Sequence, residues 1–238
     1  KLFEKYWPVS FHLIGKDILT THAIYWPTML MSLEIELPKT IFAHGWWLIS
    51  QSKMSKSIGN VIDPMELINE HGADPVRYYL MREMVLGQDS NFTVESFKSR
   101  YNSDLANDFG NLLSRVSTLM KKNFEGKIPL PYKMSKMEKE IQLESKNLIE
   151  NVKGKVKNMR INEAIEDIMQ FIRGVNKYLE VSAPWKMVKV DKENAGTVLF
   201  TAGEALRISA LLLEPIMPNR TSELLEAFDA KGTSLNWG

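Results

Sequence analysis

Residues 51–64 read QSKMSKSIGNVIDP. Lys53 and Lys56 stand three apart among serines at 52, 55 and 57, with Gly59 beyond them. Apart from Met54, Ile58, Val61 and Ile62, little here can be buried. Two ammonium groups on a short Ser/Gly loop suit an anion whose charge moves. When a triphosphate gives up pyrophosphate, negative charge builds on phosphate oxygens. Lysines, hydroxyls such as that of Ser55, and backbone N–H groups can meet that charge. A bare K-x-x-K is far more often a pair of solvated surface charges. The full string KMSKS, placed after a strand and before a helix, is much more specific.

The flanking segments supply that placement. Residues 9–14 (VSFHLI) read as a buried strand ending at Gly15, and residues 16–33 carry helical spacing, with Pro27 expected to kink or end the helix. Residues 40–49 (TIFAHGWWLI) read as a second buried strand. After the loop, Asp63 is a good N-cap, Pro64 a good first helical residue and Gly72 a natural stop. Asp74-Pro75 then starts another helix. Strand, helix, strand, loop, helix is the order of a parallel α/β sheet, whose ligands lie at the carboxyl ends of the strands. Gly15 and the lysine loop both fall at such ends.

Beyond residue 92 the period changes to helical throughout. One long helix is expected over 93–124, then a Gly/Pro linker at 125–133. Helices follow at about 135–158 and 161–181, then SAPWK at 182–186, and further helices broken at Pro215 and Pro218. Short connections favour antiparallel neighbours, hence an α-helical bundle. The expected division is 1–92 (α/β) and 93–238 (all-α).

Composition narrows the chemistry. The 238 residues are 44% hydrophobic and 25% charged, with a formal net charge of +1. That is a globular profile without a global basic field, so nucleic acid would have to be met by a local surface. The absence of cysteine excludes disulfides and thiolate metal sites. Histidines 12, 22, 44 and 71 are too scattered to suggest a metal motif. No apolar run reads as long enough to cross a bilayer. The opening KLFEKYWP has no initiator Met or signal-peptide pattern, and reads as a piece of something longer.

FHLIGKDILTTHAIYWP (11–27), AHGWW (43–47), KMSKSIGNVIDP (53–64) and DPVRYYLMRE (74–83), in this order, resemble the methionyl-tRNA synthetase family of class I aminoacyl-tRNA synthetases. Leucyl, isoleucyl and valyl enzymes share KMSKS, but do not usually pair it with GKDI and His22 upstream and NLLSR and APW downstream. The resemblance implies activation of methionine by ATP and its transfer to tRNA(Met). It implies Lys53 and Lys56 as catalytic residues, with Lys56 the more important in the transition state. ATP would also meet Gly15, Asp17, His44, Gly45 and Ser55, with Asp17 on the ribose. Ile18 and His22 would line the methionine side chain, where a thioether is recognised by shape, dispersion and sulfur–ring contact. His22 read by itself fits a satisfied core histidine, and Trp46 and Trp47 read as core.

In the helical part, Asn111 and Arg115 of GNLLSR lie four apart, on one helix face. By the resemblance they read the first base of the CAU anticodon while Trp185 stacks on a base. Asn111 fits a polar packing residue as well, and Trp185 a core anchor. The basic cluster KGKVKNMR (153–160) fits a solvated face as well as a phosphate contact. ATP is expected with Mg2+ as its substrate complex, with no metal ligated by this chain and no membrane partner. The setting expected is cytoplasmic or organellar, and the sequence sets no oligomeric state. One departure is plain: the family's H-I-G-H signature is not in these residues. The expectation is half an active site plus an anticodon module, inactive alone. The rivals are a non-catalytic tRNA-binding module and another class I synthetase.

Overall fold

The computed structural model describes residues 2–49, the backbone of 52–53, and residues 62–228. Two compact units are formed: Lys1–Ile62 with Glu83–Thr93, and Asp63–Arg82 with Val94–Gly238.

The first unit is α/β. Helix α1 (Leu2–Tyr6) precedes strand β1 (His12–Gly15), which pairs in parallel with β2 (Ile41–His44). Between them the chain makes a tight 3₁₀ turn at Lys16–Ile18, a wide π turn at Thr21–Tyr25 and helix α2 (Trp26–Ser32). Pro27 neither ends nor breaks this path. The wide turn lies just before it, and the Thr28 hydroxyl donates back to the Ile24 and Tyr25 carbonyls at 3.1 and 2.8 Å.

The expected strand over 40–49 is two strands in two sheets. β2 stops at His44, and β3 (Trp47–Ile49) lies between β4 (Ser52–Lys53, antiparallel) and β5 (Ser90–Phe92, parallel). The break is set by a segment more than 40 residues further on, at Gln88 and Asp89. A Cβ on Gly45 would stand 1.9 Å from the Gln88 carbonyl oxygen, so the backbones meet there only because position 45 has no side chain. The Trp46 N–H then donates to the Asp89 carboxylate at 2.9 Å, and the Ser90 N–H to the Trp46 carbonyl at 2.9 Å.

The second unit is all-α. Helix α3 (Pro64–His71) starts as expected, the Asp63 carboxylate accepting from the Met65 N–H at 2.8 Å, and stops at Gly72 with φ 87°. α4 (Ala73–Glu83) and α5 (Val94–Arg100) follow. The expected single helix over 93–124 is interrupted by a π-helical stretch, Tyr101–Gly110, before α6 (Asn111–Asn123). Then come α7 (Lys136–Lys157), α8 (Ile161–Ser182), the single turn α9 (Pro184–Met187), α10 (Lys192–Leu213) and α11 (Pro218–Ala227).

The core runs along α8, where Ile165, Ile168, Met169, Ile172, Val175 and Leu179 form a buried stripe at helical spacing against α6, α7 and α10. Each such side chain contributes about 1.5–3 kcal/mol by leaving water. α10 is long and apolar enough to cross a membrane by length and composition alone, which corrects the reading that no segment qualifies; 78% of its most apolar window is buried inside the protein.

The units do not divide at 92/93. Residues 63–82 belong with the helices because α3 and α4 pack there. The His71 and Phe97 rings sit 5.0 Å apart. Buried Asp74 caps α11, accepting from the Arg220 N–H at 2.7 Å, and Arg77 donates to the Pro215 and Ile216 carbonyls at 2.8 Å each.

Candidate functional site

In the first unit the register of β1 and β2 sets Gly15 opposite His44, both at carboxyl ends of parallel strands. The chain turns sharply after Gly15, and Asp17 folds back over it. A Cβ at position 15 would lie 2.4 Å from Asp17 Oδ1 and 3.8 Å from His44 Cε1. Gly15, Asp17 and His44 are thus brought together, and a side chain at position 15 would displace the Asp17 carboxylate from its present place. His44 Nδ1 lies 2.8 Å from the Gly45 carbonyl oxygen, which can only accept, so Nδ1 carries the proton and a neutral ring keeps Nε2 as an acceptor. Gly45 is accounted for by the Gln88 backbone, without a ligand.

Trp46 is not core: it is half-buried, and Lys16 Nζ stands 4.2 Å from its ring centre. The same ammonium pairs with Asp89 at 2.5 Å. The Lys16 hydrogen bond, then the Trp46 N–H, hold the Asp89 carboxyl below its ordinary value. Lys16 is therefore neutralised by a carboxylate that no sequence pattern pointed to.

Ile18 and His22 are also together. His22 Nδ1 donates to the Ile18 carbonyl at 3.0 Å, and both residues keep exposed surface. Three aromatic residues missed in the sequence gather beside them. The His12 ring meets His22 edge-on at 5.9 Å, Trp7 lies 6.3 Å from His12, and Trp26 meets Trp7 edge-on at 6.2 Å. Buried His12 Nδ1 and Trp26 Nε1 have no hydrogen-bond partner. The spacing of His22 and Trp26, four apart, could have flagged the second of these; nothing local flagged Trp7.

Lys53 is placed only by its backbone, opposite Leu48 in the β3–β4 ladder. Ser55 and Lys56 lie outside the described residues. Among the described residues no group of three or more His, Asp or Glu could hold a metal ion.

The second unit carries a separate cluster. Asn111 opens α6, exposed, and Arg115 follows one turn later. The Arg115 guanidinium carbon lies 5.1 Å from the Trp185 ring centre, and its Nη1 is 3.6 Å from Glu180. Trp185 remains 36% exposed, which decides against a core anchor. Its position comes from Ala183, in the left-handed region at φ 42°, which turns α8 into the short α9 beginning at Pro184. Glu180 was missed; with an arginine partner 65 residues away it leaves no local signal. In the basic cluster, Lys155 pairs with Asp167 at 2.6 Å and Arg160 with Glu163, so these two charges serve the helices.

A parallel sheet end in one unit and a helical bundle with an Arg–Trp pair at its surface in the other fit a class I aminoacyl-tRNA synthetase, and the matching family models give that class. Residues 1–117 match the family model described as tRNA synthetases class I (M), and residues 128–238 that of the anticodon binding domain of methionyl tRNA ligase. The chain belongs to the methionyl-tRNA synthetase family. It is 42% identical to the methionine–tRNA ligase of Clostridium acetobutylicum, over 100% of this chain and 40% of that protein. It is 42% identical to the Bacillus subtilis enzyme, over 99% of this chain and 36% of that one. Mycobacterium tuberculosis methionyl-tRNA synthetase in complex with methionyl-adenylate superposes with a TM-score of 0.92 at 38% identity, over 99% of this chain and 49% of that one. The chain spans about two fifths of these curated relatives and half of the solved one.

Proposed function

We propose that the chain is the part of a methionine–tRNA ligase that supplies the lysine loop and reads the anticodon. The observation that carries the reading is the Arg115–Trp185 pair at the surface of the helical unit: Trp185 lies within the residues 128–238 that match the methionyl anticodon-binding model, and Arg115 reaches it from within residues 1–117, which match the class I model. A flat ring with a guanidinium over it offers one base a stacking face and its neighbour edge donors. Asn111, one turn before Arg115, adds an amide with both donor and acceptor.

In the first unit, Asp17 beside Gly15 suits a ribose hydroxyl pair, and His44 Nε2 offers one acceptor nearby. The Ile18–His22 surface, with the Trp7, His12 and Trp26 rings around it, suits a thioether. Activation is attack by the methionine carboxylate on the α-phosphorus of ATP. The bond to pyrophosphate breaks, and the aminoacyl group then passes from AMP to tRNA(Met). Lys56 and Lys53 are proposed to meet the charge that grows on the phosphates. Mg2+ enters with ATP, carried on its phosphates. The relatives named above are bacterial, and a cytoplasmic setting follows with the ligase reading.

The test is methionine-dependent ATP–pyrophosphate exchange. Without an H-I-G-H signature, the chain alone is expected to give none. Joined to a segment bearing that signature it is expected to exchange, and Lys56→Ala should slow the rate about 10²–10³-fold with little change in methionine affinity. Exchange supported by another amino acid in preference to methionine would contradict the reading.

A further inference from the structure

Asn111 and Arg115 ride on a helix that begins where a wide turn ends. Through the π-helical stretch Tyr101–Gly110 the ladder is a residue wider than in an α-helix, and the Asn111 N–H is shared between the Ala106 carbonyl, five residues back, and the Asp108 carbonyl, three back. Such turns are rare and gather at functional sites.

One residue gives this turn room and another grips it. Gly110 is its last residue, and a Cβ there would stand 2.9 Å from the Leu105 carbonyl oxygen, again five residues back. A side chain at 110 would press on the wide ladder. The second is Asn176 on α8, whose Nδ2 donates to the Asp108 carbonyl at 2.9 Å. One turn earlier on α8, Arg173 holds the Asp108 carboxylate at 3.2 Å. The other end of the Asn176 amide, Oδ1, is buried without a hydrogen-bond partner. A half-satisfied buried amide is a burden on folding. Packing alone would be served as well by an apolar side chain, so the grip on Asp108 is what an asparagine adds here.

Each residue of an α-helix advances about 100° around the axis. Widening the ladder by one residue turns all that follows by an angle of that order, relative to an unbroken α-helix. The side chains that follow first are Asn111 and Arg115. We propose that Asn176 and Gly110 are positioning residues for anticodon specificity. By holding the wide turn they set the rotational register in which Asn111 and Arg115 meet the first anticodon base. The proposal rests on the anticodon reading of Asn111, Arg115 and Trp185 given above.

The test uses the whole chain and two anticodon stem-loop RNAs, identical except for C or U at the first anticodon position. The unchanged protein should prefer C, and Arg115→Ala should lose that preference. Asn176→Ala and Gly110→Ala should each cut it by about tenfold, chiefly through weaker binding of the C form, in samples whose melting curves show them folded. If Arg115→Ala loses the preference while both positioning variants keep it, the register proposal fails and the anticodon reading stands. If the unchanged protein shows no preference, the anticodon reading itself fails. Equal loss of affinity for both RNAs in the positioning variants would mark a general structural role and overturn the proposal. Should Gly110→Ala not fold, Asn176→Ala decides alone.

Discussion

The guanidinium of Arg115 is held from two sides: the Trp185 ring lies 5.1 Å from its carbon, and the Glu180 carboxylate 3.6 Å from its Nη1. A long, mobile side chain is thereby ordered at an exposed surface before any RNA arrives, which lowers the entropic cost of binding. The arrangement also means that cutting Trp185 removes a stacking face and loosens Arg115 together.

Trp185→Ala should weaken binding of a CAU anticodon stem-loop by about 1–3 kcal/mol, the usual worth of a base–aromatic stack. Because the ring is partly buried, a thermal melt belongs beside the titration. A lower melting temperature with unchanged affinity would make Trp185 a packing residue only.

Asp104, 3% exposed, accepts from Tyr78 Oη at 2.8 Å and Ser103 Oγ at 2.9 Å, and lies 3.4 Å from Arg100 and 3.7 Å from Arg82. Burial first, then the Asp104 charge, push the Tyr78 phenol well above its ordinary range, so it stays a donor. Asp104→Ala leaves the buried Tyr78 phenol without its acceptor and takes the carboxylate from beside Arg82, which keeps Glu166, and should cost about 3–5 kcal/mol in urea unfolding. Tyr78→Phe, which removes one bond to a charge, should cost about 1.5–3 kcal/mol. Equal losses for the two would contradict the assignment of Asp104 as the hub.

Gly45→Ala should destabilise the first unit, because the added methyl would stand 1.9 Å from the Gln88 carbonyl oxygen and 2.4 Å from its carbon. Backbone must move, at about 1–3 kcal/mol by analogy with overpacking. A melting curve that leaves the variant as stable as the parent would show that the 88–90 segment yields freely.

Glu138 caps α7 from within the fold, accepting from the Ser135 N–H at 2.7 Å and from the Tyr178 hydroxyl. Burial pushes its carboxyl up, but hydrogen bonds from Ser135, Tyr178 and the backbone outweigh this and leave it below 4.5. A lowered folded-state value means the contribution is fully present above the unfolded value. It is lost as pH falls from about 4.5 through the folded value. Glu138→Gln should therefore be less stable than the parent at pH 7, with the gap narrowing below pH about 4.5. A gap that stayed constant over that interval would mean the carboxylate charge is not what Ser135 and Tyr178 hold.

The helical unit was legible because its information is local. Asp63, Gly72, Pro184 and Pro218 punctuate helices through their own backbone chemistry, and the α8 stripe repeats every three or four residues. The π stretch at 101–110 was not legible, since its apolar spacing still passes for α-helix and the residue that grips it, Asn176, lies 68 positions from Asp108. The split of 40–49 into two strands was missed for the same reason: the cause is Gln88 and Asp89, and Trp46 meets Asp89 across 43 residues. Residues 87–92 read as a boundary, and β5 within them is too short for its period to show. Of the candidate site, Gly15, Asp17 and His44 meet at the ends of β1 and β2, and Arg115 meets Trp185. Asp89 and Glu180 act through partners far along the chain.

The most direct test of the central claim is the affinity of this chain for an anticodon stem-loop carrying CAU, against one in which only the first base is changed. Both are measured at one salt concentration, because phosphate contacts alone would bind the two alike. An anticodon reader of this kind should bind the CAU form more tightly by about 1–3 kcal/mol, the usual cost of one mismatched base. Arg115→Ala should remove most of that difference. Equal affinity for the two RNAs in the unchanged protein would contradict the account.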